Sequence, residues 1–176
     1  SLIETIGGQV VSHLLENKFH VMLRPHPQTV KYAKPQIKEI MERHKNNSNF
    51  ELEFNIACQD SLHQSDLMIS DWSGAALDYS FGLGKPVLFI DVPRKVNNPE
   101  YESLDITPFE VWIRNNIGKT HSAEKLDSLS DSVNELLSND TYADIDSITR
   151  KNVFNIGKSA QVGAKYLAQL LKGSAC

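Results

Sequence analysis

Short β-like apolar runs alternate along this chain with longer stretches of helical periodicity. An alternation of that kind folds as βα units around a largely parallel sheet, which makes the expected class α/β. Residues 19–23, 50–54, 66–70 and 87–90 read as strands, and 117–121 as a short edge strand. Leu2, Ile3, Ile6, Val10 and Leu14 recur at helical spacing ahead of the first of them. Residues 33–44 predict a helix, with Pro35 in the first turn where no intrahelical donor is lost. The polar run 45–49 is a loop, 57–64 suits one or two helical turns, and 73–81 predicts a helix closed by Gly82 and Gly84. Further on, Leu126, Leu129, Val133, Leu136 and Leu137 mark an amphipathic helix. A final helix over 159–171 lines up Val162, Tyr166, Leu167, Leu170 and Leu171 on an apolar face. Residues 91–112, punctuated by Pro93, Pro99 and Pro108, read as a long irregular segment of the kind that covers a cleft or carries function.

A doubly wound domain normally opens on a strand, whereas this chain opens on a helix, so an upstream strand and a preceding domain are expected to lie outside it. The 176 residues, 40% of them hydrophobic, suit one domain. Cys58 and the terminal Cys176 do not form a secreted disulfide framework, which points to a reducing cytoplasm. A net charge of −4 argues against a nucleic-acid surface, since such surfaces need clustered Lys and Arg. No run approaches a membrane span or a signal peptide, so membrane contact is expected only through a missing part, peripherally at the inner face of the cell membrane. His13, His20, His44, His63 and His121 are scattered without metal-ligand spacing, and neither a metal nor a cofactor is expected. Cys58 has no histidine nearby in sequence, and Gly82 to Lys85 precedes a strand where a P-loop precedes a helix.

Two segments concentrate chemistry. The first is RPHP, Arg24 to Pro27, directly after a predicted strand and so at the carboxyl end of the sheet, where open α/β sheets bind ligands. The prolines remove two backbone donors and leave a guanidinium and an imidazole, a pair suited to phosphate. The same four residues also suit a rigid turn whose Arg and His make structural hydrogen bonds. The second is SDLMISDWSGAALDYSFGLGKPVLFID, Ser65 to Asp91, where a strand runs through Asp71, Trp72, Ser73 and Gly74 into a helix. Free N–H groups at that helix start, with the Ser73 hydroxyl, would cradle an anion, and Asp78 would point to another side, toward a ribose hydroxyl or a neighbouring loop. Alternatively, Ser73 and Asp71 only cap the helix.

Together, RPHP, the S-D-W-S-G-x-x-x-D-Y segment and the G-x-G-K-P-V-L-F run resemble the C-terminal domain of CDP-glycerol glycerophosphotransferases, the polymerases and primases of teichoic acid backbones. The resemblance spans about Leu2 to Leu171 and includes Asn155 to Ser159. It implies a Rossmann-like three-layer αβα domain, the C-terminal half of a GT-B fold, with residues 1–176 forming a single donor-binding domain that lacks an N-terminal acceptor domain. It further implies a CDP-glycerol or similar nucleotide-activated donor and a polyol phosphate or glycan acceptor bound by the missing domain. His26 and Arg24 would contact the donor diphosphate and carry the chemistry, while Asp71, Ser73, Gly74 and Asp78 would bind donor and phosphate. Trp72 stands where Tyr is common in the family and Gly74 where a second serine is frequent, which leaves donor preference open among CDP-glycerol, CDP-ribitol and UDP-sugars. Non-hydrolysing UDP-sugar epimerases share a similar but shorter turn, so a nucleotide-sugar-binding domain and a non-catalytic nucleotide-binding module stay as alternatives.

Overall fold

The computed structural model describes residues 1–93, 100–138 and 144–173. Among the described residues five strands form, all paired in parallel: β1 (Val21–Leu23), β2 (Phe50–Leu52), β3 (Met68–Ser70), β4 (Val87–Asp91) and β5 (Gly118–Ser122). The same residues hold ten α-helices, which surround or connect the strands: α1 (Leu2–Thr5), α2 (Gly7–Glu16), α3 (Pro27–Tyr32), α4 (Lys34–His44), α5 (Asp60–Gln64), α6 (Ala75–Leu83), α7 (Phe109–Ile117), α8 (Leu129–Ser138), α9 (Ile145–Asn152) and α10 (Ser159–Gly173). The fold is the α/β class with parallel strands that the alternation predicts, and it is consistent with the Rossmann-like domain that the resemblance implies.

The sheet, however, is divided. β1 pairs only with β2, with Val21 opposite Phe50, while β3, β4 and β5 make a second sheet in which Met68 faces Val87 and Val87 faces Gly118. β4 lies at the centre of its sheet with Val87 to Ile90 almost wholly buried, as its unbroken apolar run requires. Leu88 and Ile90 turn to one face and pack with Val10, Leu14, Leu129, Val133 and Leu136. Val87 and Phe89 turn to the other, against Ala76, Tyr79, Ile113 and Ile117. A third cluster, Val11, Leu15 and Ile40, packs on Val21, Leu23 and Phe50. Because residues 10 and 14 serve one cluster and 11 and 15 another, α2 straddles both sheets.

Several boundaries differ from the sequence expectation for local reasons. Lys18 adopts a left-handed turn, φ 69°, and the Phe19 N–H caps α2 on the Leu14 carbonyl, so the first strand starts at Val21. The stretch 91–112 is not irregular throughout: Tyr101–Leu104 forms a 3₁₀ turn and α7 begins at Phe109 directly after Pro108. Its residues 94–99 lie outside the described part of the chain. Ile117 therefore ends a helix, and β5 runs from Gly118 to Ser122 as the edge strand. Gly118 is required there, because a Cβ would overlap the Val87 peptide on the neighbouring strand. α9 had no counterpart in the sequence reading. On α10, Val162, Tyr166, Leu167, Leu170 and Leu171 are exposed rather than buried.

Candidate functional site

The chain leaves β1 at its carboxyl end as Arg24-Pro25-His26-Pro27. Pro25 is fully buried and anchors the turn. His26 is exposed and is the N-cap of α3: its backbone is extended, φ −61° and ψ 145°, and Nδ1 accepts the Gln28 N–H at 3.1 Å. An accepting Nδ1 leaves the neutral ring its proton on Nε2, which makes that nitrogen a donor.

Arg24 is held closely. Its Nη1 donates to Glu53 Oε2 at 2.9 Å, to the Cys58 carbonyl at 2.9 Å and to Ser61 Oγ at 2.6 Å, and Nη2 reaches the Ile56 carbonyl at 3.4 Å. The pairing follows from register, since Leu23 opposes Leu52 and the next residues are Arg24 and Glu53. Ser61 also donates to Glu53, and this bond, with help from Cys58 and Arg24, holds the Glu53 carboxyl below the usual carboxylate range. The guanidinium thus ties the end of β1 to the segment between β2 and α5. Glu53 and Ser61 escaped the sequence reading, because nothing in a one-dimensional pattern sets Arg24 opposite Glu53 until the strand register is known.

β3 ends in the turn Asp71-Trp72-Ser73-Gly74, which opens α6. Asp71 Oδ2 accepts the Leu2 N–H at 2.8 Å and so joins this turn to α1. Ser73 Oγ accepts the Ala75 N–H at 3.3 Å, while the Ala76 and Leu77 N–H groups bond the Ser73 and Gly74 carbonyls. Fewer donors are therefore free than a bare helix start would offer. Among the described residues the Gly74 N–H has no partner, and a Cβ at Gly74 would meet nothing within 4 Å. Asp78, one turn into α6, is exposed. Its neighbour Tyr79 is buried, with its hydroxyl on Ser65, and burial pushes its pKa up.

Behind this turn sits a residue that the sequence did not single out. Arg114 of α7 is 5% exposed, with its guanidinium carbon 3.9 Å from the Trp72 ring centroid and 4.8 Å from that of Phe89. Nη1 meets Asp91 at 3.5 Å, and among the described residues the buried Nε and Nη2 have no hydrogen-bond partner. Burial lowers its pKa, with the charges of Asp91 and Asp71 opposing the shift. Trp72 is fixed from its other edge by Nε1–H donation to the Val92 carbonyl at 2.8 Å. Trp72 is thus clamped between α7 and the end of β4, and Ser73 follows it directly.

The RPHP and Ser73 turns rise from β1 and β3, both of which contribute residues to the lining of one largely apolar cavity. Both stand at the carboxyl end of parallel strands, where an anionic ligand meets helix starts. Among the described residues, no three His, Cys, Asp or Glu side chains gather as metal ligands, and no helix is long and apolar enough to cross a membrane. A family model described as CDP-Glycerol:Poly(glycerophosphate) glycerophosphotransferase matches residues 6–156. Comparison with curated proteins and with solved structures finds no match for the chain.

Proposed function

The chain belongs to the CDP-glycerol:poly(glycerophosphate) glycerophosphotransferase family, and we propose that it is the donor-binding domain of such a transferase, the C-terminal half of a GT-B pair. The observation that carries this reading is the continuity of the match, which runs over residues 6–156 and takes in both carboxyl-edge turns. The donor is CDP-glycerol or a close polyol analogue, and the acceptor is a hydroxyl of a cell-envelope polymer presented by a second domain.

In the proposed reaction the acceptor oxygen attacks the phosphorus that bears glycerol. A new P–O bond forms while the bond to the bridging oxygen breaks, and CMP leaves with that electron pair. The hydroxyl proton passes to a base on the acceptor domain. Charge grows on the leaving phosphate, so fixed donors aimed at it lower the barrier. His26 Nε2–H, the Ser73 hydroxyl and the Gly74 N–H are those donors. Arg24 adds positive charge at the same edge while fixing the 53–61 segment, Asp71 holds the turn in place, and exposed Asp78 meets the ribose.

Calorimetric titration tests the reading with CDP-glycerol, CDP-ribitol, UDP-N-acetylglucosamine and CMP as ligands. Binding of the CDP-polyols in preference to the UDP-sugar is expected. Preference for the UDP-sugar would move the chain to nucleotide-sugar chemistry, and no binding of any of the four would end the donor-domain reading.

A further inference from the structure

Arg114 carries a charge that the fold does not use. Its guanidinium is buried in α7 against the rings of Trp72 and Phe89, and among the described residues its Nε and Nη2 bond to nothing. The same residues bring two carboxylates to bear on it. Asp91 meets Nη1 at 3.5 Å, longer than a good hydrogen bond, and its side chain is 55% exposed, so water screens the pair. Asp71 acts only through space, since its Oδ2 accepts the Leu2 N–H. An enclosed cation paired this poorly is costly, and arginine does not escape the cost by shedding its proton.

The topology aims this charge at the carboxyl edge of the sheet. α7 ends at Ile117 and runs straight into β5, whose first residue, Gly118, pairs with Val87 at the start of the parallel β4, so α7 leads toward the amino end of the strands. Helical side chains lean back toward the helix start, which here is the carboxyl side. The contacts agree: Asp91 is the last residue of β4, and Trp72 is the second residue after β3. Trp72 is pinned in turn by its Nε1–H donation to the Val92 carbonyl. The guanidinium therefore lies against the turn that carries the Ser73 hydroxyl and the Gly74 N–H.

We infer that Arg114 is a positioning residue of the proposed donor site, a buried cation that strengthens phosphate binding at Ser73 and Gly74 through the interior of the protein without touching the ligand. The inference rests on the donor-binding reading and deepens it. A phosphate on the turn supplies the counter-charge that the fold withholds. The attraction passes through packed protein around Trp72, where it is screened far less than between exposed charges. A hydroxyl and an N–H alone bond neutral and anionic groups alike, whereas a cation fixed behind them favours the anion.

The test is calorimetric titration of the 176-residue chain with CDP-glycerol and CMP, comparing the parent with Arg114→Met and Arg114→Lys, each checked for folding by thermal unfolding. At neutral pH, Arg114→Met should bind both nucleotides roughly tenfold more weakly, the effect of removing one interior charge near an anion. Arg114→Lys keeps the charge and loses the planar stack, and should stay within about threefold of the parent. Raising the pH to about 10 should weaken binding by the lysine variant and change the parent far less, because an enclosed lysine gives up its proton there and arginine does not. A role in packing alone implies that both variants bind weakly at every pH, and that result overturns the inference. So does an Arg114→Met chain that binds as the parent does, an outcome that leaves the donor-binding reading intact. If the parent binds neither nucleotide, that reading falls and the inference falls with it. Should Arg114→Met fail to fold, the lysine profile decides alone, and a profile as flat as the parent's overturns the inference.

Discussion

His26 owes its chemical character to its own turn. Its Nδ1 is committed to the Gln28 N–H, so proton donation can only come from Nε2. In the proposed two-domain transferase, His26→Ala should lower turnover by about two to four orders of magnitude if Nε2–H stabilises or protonates the leaving phosphate. Steady-state kinetics checks this: a rise in KM at unchanged turnover would make His26 a ground-state contact only, and recovery by His26→Gln would favour a fixed donor over proton transfer. Ser73→Ala removes one proposed phosphate donor and the Oγ bond to Ala75, and should weaken donor binding by about tenfold while costing at most about 1 kcal/mol of stability. Titration and denaturant unfolding separate those effects. Arg114 carries a different expectation. With Nε and Nη2 buried and unpartnered among the described residues, Arg114→Met should leave stability within about 1 kcal/mol of the parent or raise it, because an apolar chain of similar volume keeps much of the packing and removes a poorly compensated charge. Arg114→Ala should cost about 2 kcal/mol or more through lost packing on Trp72 and Phe89. Residues of these kinds differ in how legible they are from sequence. His26 and Ser73 sit in short motifs beside strands, whereas Arg114 acquires its surroundings only when α7, β4 and the Trp72 turn converge.

Among the elements, β4 was the easiest to read, because a run of buried apolar residues between Pro86 and Asp91 has few other outcomes. α7 was hidden by its own start: Pro108 reads as loop punctuation, yet it occupies the N-cap, where a proline does no harm. β5 starts one residue later, at Gly118, where a side chain has no room, and Gly118→Ala tests that constraint. The added methyl would collide with the Val87 peptide, so either the β4–β5 ladder shifts or the domain loses about 3 kcal/mol. Urea unfolding should show that loss, and an unchanged midpoint would mean that the edge strand moves freely. The segment joining β2 to α5 responds to acid. A Glu53 carboxyl held below its ordinary range favours the folded arrangement at any pH above about 4.3 and loses that contribution as pH falls from there through its own lowered value. Amide protection factors at residues 55–59 should therefore fall below about pH 4, ahead of those in β4, and Glu53→Gln should show the lower protection already at neutral pH.

At the scale of the whole molecule, the alternation of strand and helix was enough to set the class and the parallel sense. The division of the sheet was not legible, since every strand that forms it is present and correctly ordered; what the sequence cannot convey is which neighbours fail to touch. The apolar stripe of α10 follows from its spacing, yet spacing reports amphipathicity and not what lies opposite, and the stripe is exposed. Weight-bearing packing is thus concentrated in three clusters around β4, β1 and the helices that cover them, while Ser73, Gly74 and Asp78 stand outside all three. Gly74 makes the consequence concrete. Its backbone is ordinary helical, φ −60° and ψ −23°, and the space a side chain would take is open. A serine could appear there by drift without disturbing the fold, so lineages of this domain can acquire or lose a second hydroxyl at the proposed donor site while selection for a folded protein takes no notice.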